Sequence, residues 1–348
     1  MKIEMQVALG TFKLQRFPIE VGEKLQAWDA ADEYLMNYIK DNELLIKNPS
    51  ILVINDTFGA LASNLSEEKV FCINDSYLSQ QGIIHNYEQN HLDDGNLTLL
   101  SSLDDLPQNI SLIIYKIPKS KSLLMEQLAK VRLKYDESVV FIAADRAKEI
   151  HSSTLKVFER YLGTTKTSLA VKKARLVFSA FDNDASKLSP VKFPTTWPLE
   201  NTAFSISNHA NVYAREKLDI GARYFMENLP KIKDDMQIID LGCGNGVIGL
   251  TALSRNANVH IDFYDESFMA IASAKENIEN NLPEHLDQCE FHINDCLSGV
   301  EGGSVDLILC NPPFHQQTAT TDHIAWQMFK DSYRVLKKGG ELRIIGNR

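Results

Sequence analysis

Asn311-Pro312-Pro313-Phe314 follows an apolar run, Val305–Cys310, that reads as a buried strand. The two prolines fix φ and cannot extend a ladder, so the chain must turn there. The corner offers an amide side chain, free carbonyls and an aromatic face. These groups suit a planar substrate carrying an NH2 group. The carbonyl oxygens of Asn311 and Pro312 can accept its two N–H bonds, and Phe314 can stack on its ring.

A second cluster lies upstream. Residues 236–241 (MQIIDL) predict another buried strand, ended by the turn Gly242-Cys243-Gly244-Asn245-Gly246. Gly244-x-Gly246-x-x-Gly249 satisfies the dinucleotide fingerprint, in which glycines let the backbone approach a ligand at a helix N-terminus. The competing register puts an acid, Asp240, just before the first glycine. That register serves S-adenosylmethionine, which has no pyrophosphate, so the loop cradles its amino-acid and ribose portion. Asp265, ending the next strand, would accept from both ribose hydroxyls. Asp295, after a third strand, would accept from the adenine amino group, and Asp240 would face the ligand ammonium directly or through water. Each acid alone has a plainer reading as a helix cap. The full order of glycine turn, ribose acid, third-strand acid and Asn-Pro-Pro-Phe corner discriminates against a nicotinamide enzyme, which has no need of the corner.

The elements that must position these residues alternate between strand and helix. Helices are expected at 247–255, 268–281 and 325–338, the last closed by Gly339-Gly340, and strands at 259–264, 290–293, 305–310 and 341–345. Such alternation predicts an α/β fold with a parallel sheet and right-handed crossovers. The first half repeats the plan in worn form, at an offset near 190 residues. Strands are expected at 50–55, 69–73, 110–115 and 139–143, then a helix at 151–162 and a hairpin from 167–171 and 174–181. The acids Asp56 and Asp75 are taken to answer Asp240 and Asp265. Thr57-Phe58-Gly59 stands where the glycine turn would be, and Lys116-Ile117-Pro118-Lys119 where the corner would be. The expected domains are 1–185, a linker at 186–203 marked by Pro190, Pro194 and Pro198, and 204–348. Relative to the first half, the second lacks a final helix and hairpin, so its domain is expected to be C-terminally truncated.

Composition is that of an ordinary globular protein, with 44% hydrophobic and 24% charged residues. No run has the length and apolarity of a membrane span, and the N-terminus has no signal-peptide pattern. The five cysteines form no C-x-x-C pair, which argues against a zinc site or a disulfide framework and for a reducing cytoplasm; no metal is expected. The net charge of −10 argues against a generally basic nucleic-acid binder. Its distribution is uneven: residues 115–175 carry 14 Lys+Arg against 6 Asp+Glu, whereas residues 196–348 carry 13 against 21. Lys116, Lys119, Lys121, Lys148, Lys166, Lys172, Lys173 and Arg175 in that segment form either solvated helix faces or a phosphate-binding surface. Lone residues such as His151 and Trp326 read as structural.

With these motifs the second half resembles class I S-adenosylmethionine-dependent methyltransferases of the amino-methylating group. The whole chain is similar to the ribosomal RNA guanine-N2 methyltransferases. The likeness extends over 25–34 (LQAWDAADEY), 208–212 (NHANV), 240–250 and 311–317 (NPPFHQQ). It implies two tandem Rossmann-like methyltransferase domains, the first degenerate and used for RNA recognition. It also implies methylation of the exocyclic N2 of a guanine in 23S ribosomal RNA, probed as an unpaired loop by a monomer. The catalytic residues would be Asn311, Pro312, Pro313 and Phe314, and the donor site Asp240, Gly242, Gly244, Gly246, Asp265, Asp295 and Asn311. Lys116, Lys119, Lys121, Lys166, Lys172, Lys173 and Arg175 would hold RNA. The base would be extruded and stacked on Phe314. No general base is assigned, and His315 reads equally as a wall or phosphate contact. Methylation of a 16S guanine, of adenine N6 or of a protein glutamine suits the corner as well. A non-catalytic RNA-binding protein is opposed by the intact glycines and acids.

Overall fold

The structure is a computed structural model and describes residues 3–182, 184, 188, 193–312 and 321–346. The chain divides into two compact units, Met1–Val191 and Lys192–Arg348.

The first unit opens with a hairpin, β1 (Glu4–Val7) and β2 (Gly10–Lys13), followed by α1 (Ala30–Asp41). The alternation then runs β3 (Ser50–Ile54), α2 (Ala60–Asn64), β4 (Lys69–Asn74), α3 (Tyr77–Gln89), β5 (Leu97–Ser101), β6 (Leu112–Lys116), α4 (Lys121–Lys134), β7 (Val140–Arg146), α5 (Ser152–Tyr161), β8 (Thr165–Thr167) and β9 (Ala174–Ser179). The sheet order is β5-β4-β3-β6-β7-β9-β8, parallel from β5 to β7, with β9 antiparallel to β7 and β8 to β9. Helices cover both faces. Ile51, Val53, Ile114 and Ile142 therefore enter one core, and Leu52, Ile54, Ile113 and Phe141 the other. Burial on both faces is why these strands are unbroken apolar runs rather than alternating ones. Each such side chain contributes about 1.5–3 kcal/mol of transfer free energy.

The second unit opens likewise with a hairpin, β10 (Thr195–Pro198) and β11 (Ser205–Asn208), and a helix, α6 (Ile220–Glu227). It continues through β12 (Gln237–Leu241), α7 (Val247–Arg255), β13 (His260–Asp265), α8 (Phe268–Asn281), β14 (Cys289–Ile293), β15 (Val305–Cys310), α9 (Thr321–Val335) and β16 (Leu336–Ile344). Its sheet is parallel throughout, in the order β14-β13-β12-β15-β16.

Two expectations change. The strand β10 occupies part of the stretch read as linker, because its backbone pairs with β11 from Thr195↔Asn208 to Pro198↔Ser205. The last helix stops at Val335, and Gly339-Gly340 is not its cap. The pairing of β15 with β16 jumps from Val305↔Leu336 to Leu307↔Glu341, so residues 337–340 bulge out of the strand at Gly339, φ +86°. Trp326, read as structural, is 60% exposed on α9 with the Lys330 ammonium over its ring at 5.6 Å. His151 is also exposed, at the N-terminus of α5, where its side chain makes no capping bond.

Candidate active site

The sheet order of the second unit reverses beside β12: the chain runs outward to β13 and β14, then returns to β15 on the other side. Ligands bind in the crevice at the carboxyl ends of the strands where such a reversal occurs. The register sets those ends level, with Leu241 opposite both Tyr264 and Cys310, and Asp265 opposite Ile293. One edge thus carries, in spatial order, Asp295, Asp265, the glycine turn and Asn311.

The turn is built by backbone hydrogen bonds, and among the described residues a Cβ at Gly244 would meet nothing within 4 Å. Gly242 and Cys243 both donate to the Tyr264 carbonyl, at 2.8 and 3.0 Å, and Gly246 donates to Cys243. Gly244 donates to the Asp265 carboxylate at 2.9 Å, and the other oxygen of that carboxylate accepts from Ser267 at 3.0 Å. Gly242 has φ +69°, and a Cβ there would come within 3.1 Å of the Met328 methyl and 3.5 Å of the Asn311 carbonyl. The cleft between β12 and β15 is therefore one that a side chain would fill. Asn311 donates its N–H to the Leu241 carbonyl at 3.4 Å, which ties the start of the corner to the end of β12. Asn311 is half-buried and Pro312 buried. Pro313 and Phe314, with His315, lie outside the described residues.

Asp240 lies beneath the turn rather than on its open side. It is fully buried, and one carboxylate oxygen accepts from the Gly249 N–H of α7 at 2.8 Å. The close approach explains the third glycine of the fingerprint: a Cβ at Gly249 would meet the Phe263 ring at 2.3 Å and the Asp240 carboxylate at 3.0 Å. The other Asp240 oxygen has no hydrogen-bond partner among the described residues. Burial pushes the Asp240 carboxyl up to about 8, with the Asp265 charge adding to the shift and the Gly249 N–H opposing it. Asp295 accepts from the Gln327 amide at 2.9 Å, and burial raises its carboxyl above the usual range. Leu297 N–H donates to Asp331, so α9 braces the loop after β14 at two points.

A buried polar network holds this edge from below, and the motifs do not reveal it. Asn277 of α8 accepts from Ser207 N–H at 2.6 Å and donates to the carbonyls of Ser207 and Asn245, each at 2.9 Å. Asn245, inside the glycine turn, donates to the Asn208 side chain at 2.9 Å. The signal was present in the i, i+4 spacing of Ser273, Asn277 and Asn281, but polar residues at that spacing read as a solvated helix face.

The equivalent edge of the first unit is filled. Asn55 stands at the place of Gly242, with φ +68° and the same N–H bond back to the neighbouring strand, here Ile73. Its side chain donates to the Lys116 carbonyl and to Gln127, both at 2.9 Å, and Gln127 returns a bond and accepts from Tyr115. The register of β3 against β6 puts Lys116 at the place of Asn311. Lys116 was expected to bind phosphate. It is instead half-buried in an ion pair, 2.6 Å from the buried Asp32 and 3.1 Å from the more exposed Asp29 at the cap of α1. Burial alone would lower the Lys116 ammonium, but the two carboxylates outweigh it and hold the group above its usual range. Burial raises Asp32 to about 6 despite the lysine. At the ends of β3 and β4, Ile54, Ile73, Ser102 and Gln127 line a pocket with about 10 Å³ of room, at the limit for one water.

The acids of the two units also pair differently from expectation. Gly59 and Gly246 each open a helix in the left-handed conformation. Counting back from them aligns Asp56 with Cys243, not with Asp240. Asp56 nevertheless does the work of Asp240, accepting from Ala62 at 2.9 Å where Asp240 accepts from Gly249. Asp265 ends β13 as Asn74 ends β4, so Asp75 answers Glu266.

The other lysines remain accessible. Lys119, Lys121, Lys166, Lys172 and Lys173 are exposed, and Arg175 is half-buried. Lys172 pairs with Glu33 at 2.8 Å. Lys172 and Lys173 both have positive φ, 48° and 67°, at the hairpin turn that feeds β9. Asp262, Glu290 and His292 form a further group of possible metal ligands on β13 and β14, with ligand atoms within 4.8 Å of one another. Among the described residues no helix is long and apolar enough to cross a membrane.

Residues 2–183 match the family model of the RLMG N-terminal domain, and residues 203–348 match the methyltransferase small domain. The chain is 62% identical to the ribosomal RNA large subunit methyltransferase G of Colwellia psychrerythraea, over 96% of this chain and 88% of that protein. It is 49% identical to the protein of the same name from Pseudoalteromonas translucida, over 99% of this chain and 90% of that protein. Among solved structures, a Thermus thermophilus 16S rRNA N2 G1207 methyltransferase (RsmC), in complex with AdoMet and guanosine, superposes with a TM-score of 0.74. That likeness covers 99% of this chain and 89% of that one at 15% sequence identity.

Proposed function

The chain belongs to the ribosomal RNA large subunit methyltransferase G family, and from that premise we propose how it methylates the exocyclic N2 of a guanine in 23S ribosomal RNA. It is an S-adenosylmethionine-dependent methyltransferase with two class I methyltransferase folds in tandem. Family membership along nearly the whole chain carries this reading. The open carboxyl edge of the second unit supplies its chemistry.

The residues present fit the donor. A clear glycine turn, a cleft that a Cβ would fill and carboxylates at the ends of β13 and β14 match an amino-acid chain, a ribose and an adenine laid along the edge. When bound, the donor supplies a methyl group on a sulfonium. Asp265 accepts from the ribose hydroxyls and Asp295 from the adenine amino group. Gly242, Gly244 and Gly246 cradle the amino-acid portion, and Asp240 acts beneath the turn by anchoring α7. Asn311 and the Pro312 carbonyl orient the guanine NH2 and favour localisation of its lone pair, while Pro313 stiffens the corner and Phe314 stacks on the extruded base. No residue need act as general base, because the proton becomes acidic only once the nitrogen is alkylated.

Lys119, Lys121, Lys166, Lys172, Lys173 and Arg175 hold the RNA backbone around an unpaired loop. Their placement supports this: the residues after β6 and the turn before β9 lie at the carboxyl edge of the first unit's sheet, concentrating charge there. The protein acts as a cytoplasmic monomer. The test is tritiated S-adenosylmethionine with 23S ribosomal RNA from a strain lacking the enzyme, followed by nucleoside analysis. Label in N2-methylguanosine is expected, and label in any other nucleoside overturns the assignment.

A further inference from the structure

In the second unit every fourth residue of α8 is bonded to every second residue of the segment that continues β11. Asn281 exchanges two bonds, each 2.9 Å, with the backbone of Ser205. Asn277 does the same with Ser207, at 2.6 and 2.9 Å. Ser273 accepts from His209 N–H at 3.0 Å, and the Met269 sulfur accepts from Asn211 N–H at 3.3 Å. The match has a geometric basis: four helical residues rise about 6.0 Å and two strand residues about 6.6 Å, so the two rows stay in step for three repeats.

The row ends at the first turn of α8, directly after Asp265 and Ser267. The segment is thereby delivered to the donor edge. Asn277 also donates to the Asn245 carbonyl, and Asn245 donates to Asn208, so one side chain fixes both the glycine turn and the strand that approaches it.

The first unit carries the same row. Asn90 exchanges bonds with Lys13 and Asn86 with Gln15, and Asn86 also donates to the Phe58 carbonyl at 2.7 Å. There the contact that answers Asn208–Asn245 is a guanidinium over a ring, Arg16 at 4.9 Å from the Phe58 centroid, and the cleft beyond is filled.

We infer that Asn277 is a positioning residue for the methyl donor. Through the row on α8 it holds residues 208–211 and the glycine turn as one rigid wall of the donor site, a task its counterpart Asn86 no longer serves. This rests on the reading that the second unit binds S-adenosylmethionine.

The test makes the same change in both units of the full chain. Asn277→Asp and Asn86→Asp each replace a two-bond amide donor by a carboxylate facing two carbonyls. Binding of S-adenosylmethionine is measured by calorimetry, KM and kcat with 23S ribosomal RNA, and Tm by thermal unfolding. Asn277→Asp is expected to weaken donor binding and raise its KM by roughly tenfold or more, as loss of one to two hydrogen bonds requires. Its kcat at saturating donor should stay within about threefold. Asn86→Asp should lower Tm comparably and leave donor affinity within about twofold. Unchanged donor affinity in Asn277→Asp, or equal loss in Asn86→Asp, overturns the inference. Should Asn277→Asp fail to fold, Ser273→Ala removes the bond from His209 together with the hydroxyl's own bond to the Met269 carbonyl within α8. It must then weaken donor binding by roughly threefold, and unchanged affinity overturns the inference. Absence of any binding heat with the unaltered protein would instead sink the reading beneath it.

Discussion

The two units share a five-stranded parallel scaffold, to which the first adds β9 and β8, and they differ at its carboxyl edge. Both use an entry hairpin, a capped helix, an asparagine row on the helix after the second strand and a left-handed glycine that opens the helix after the first. At the carboxyl edge the second unit has Gly242 and Asn311, and the first has Asn55 and Lys116. Asn tolerates the left-handed backbone that Gly242 adopts, so the change fills the cleft without unfolding the turn. The lysine put at the place of Asn311 is neutralised by Asp29 and Asp32 from α1. Each group that fills the first unit's edge is satisfied by a local partner.

Breaking the plug should have the largest effect on stability. Lys116→Met leaves Asp29 and Asp32 facing each other without a cation, and a loss of about 2 kcal/mol, less than for a fully buried pair because Asp29 is partly exposed, is expected in urea unfolding. Adding Asp32→Asn should recover part of it, and no recovery would mean that the pair matters by packing alone. Moving the plug should be as informative for catalysis. Gly242→Asn introduces the side chain of Asn55, and we expect S-adenosylmethionine affinity to fall roughly 100-fold, about 2.7 kcal/mol. Wild-type affinity in calorimetry would show that the cleft is not what the first unit lost.

Asn311→Ala should lower turnover roughly 100-fold, within the range seen when one oriented polar group is removed from a reacting centre. Donor affinity should change little, and turnover within a few-fold of wild type would detach the corner from the chemistry. Lys172→Glu with Lys173→Glu should weaken RNA binding about tenfold and flatten its salt dependence, while sparing free donor binding. Equal loss of both, or of neither, would remove the hairpin turn from the RNA surface.

The smallest effect concerns pH. Asp240 has a folded-state carboxyl raised to about 8, so its contribution to stability is fully present below pH 4 and is lost as pH rises through about 8. Asp240→Asn, which can still accept from Gly249, should match wild type near pH 4 and exceed it in Tm by a margin that grows up to about pH 8. A Tm difference independent of pH would mean that the carboxylate is already satisfied.

Much of this was legible in the chain because strands buried on both faces are unbroken apolar runs. Residues 305–310 and the helices 247–255 and 268–281 stand where the pattern puts them. The pairing of Asp56 with Asp240 misled because two carboxylates from different chain positions reach the same helix N–H. Lys116 misled because a charge count sums residues and cannot see that Asp29 and Asp32, more than 80 positions earlier, close over one of them. Gly339-Gly340 read as a helix stop, yet the same left-handed freedom serves a bulge.

Local order alone determined the alternation of strands and helices, the repeat and the sequence of glycine turn, acids and corner. These follow from periodicity and from which residues tolerate a turn, both properties of neighbours in the chain. Only the tertiary structure decided which edge is open. Whether a cleft is empty depends on what distant strands and helices bring to it: Met328 and Asn311 beside Gly242, or Gln127, Lys116 and α1 beside Asn55.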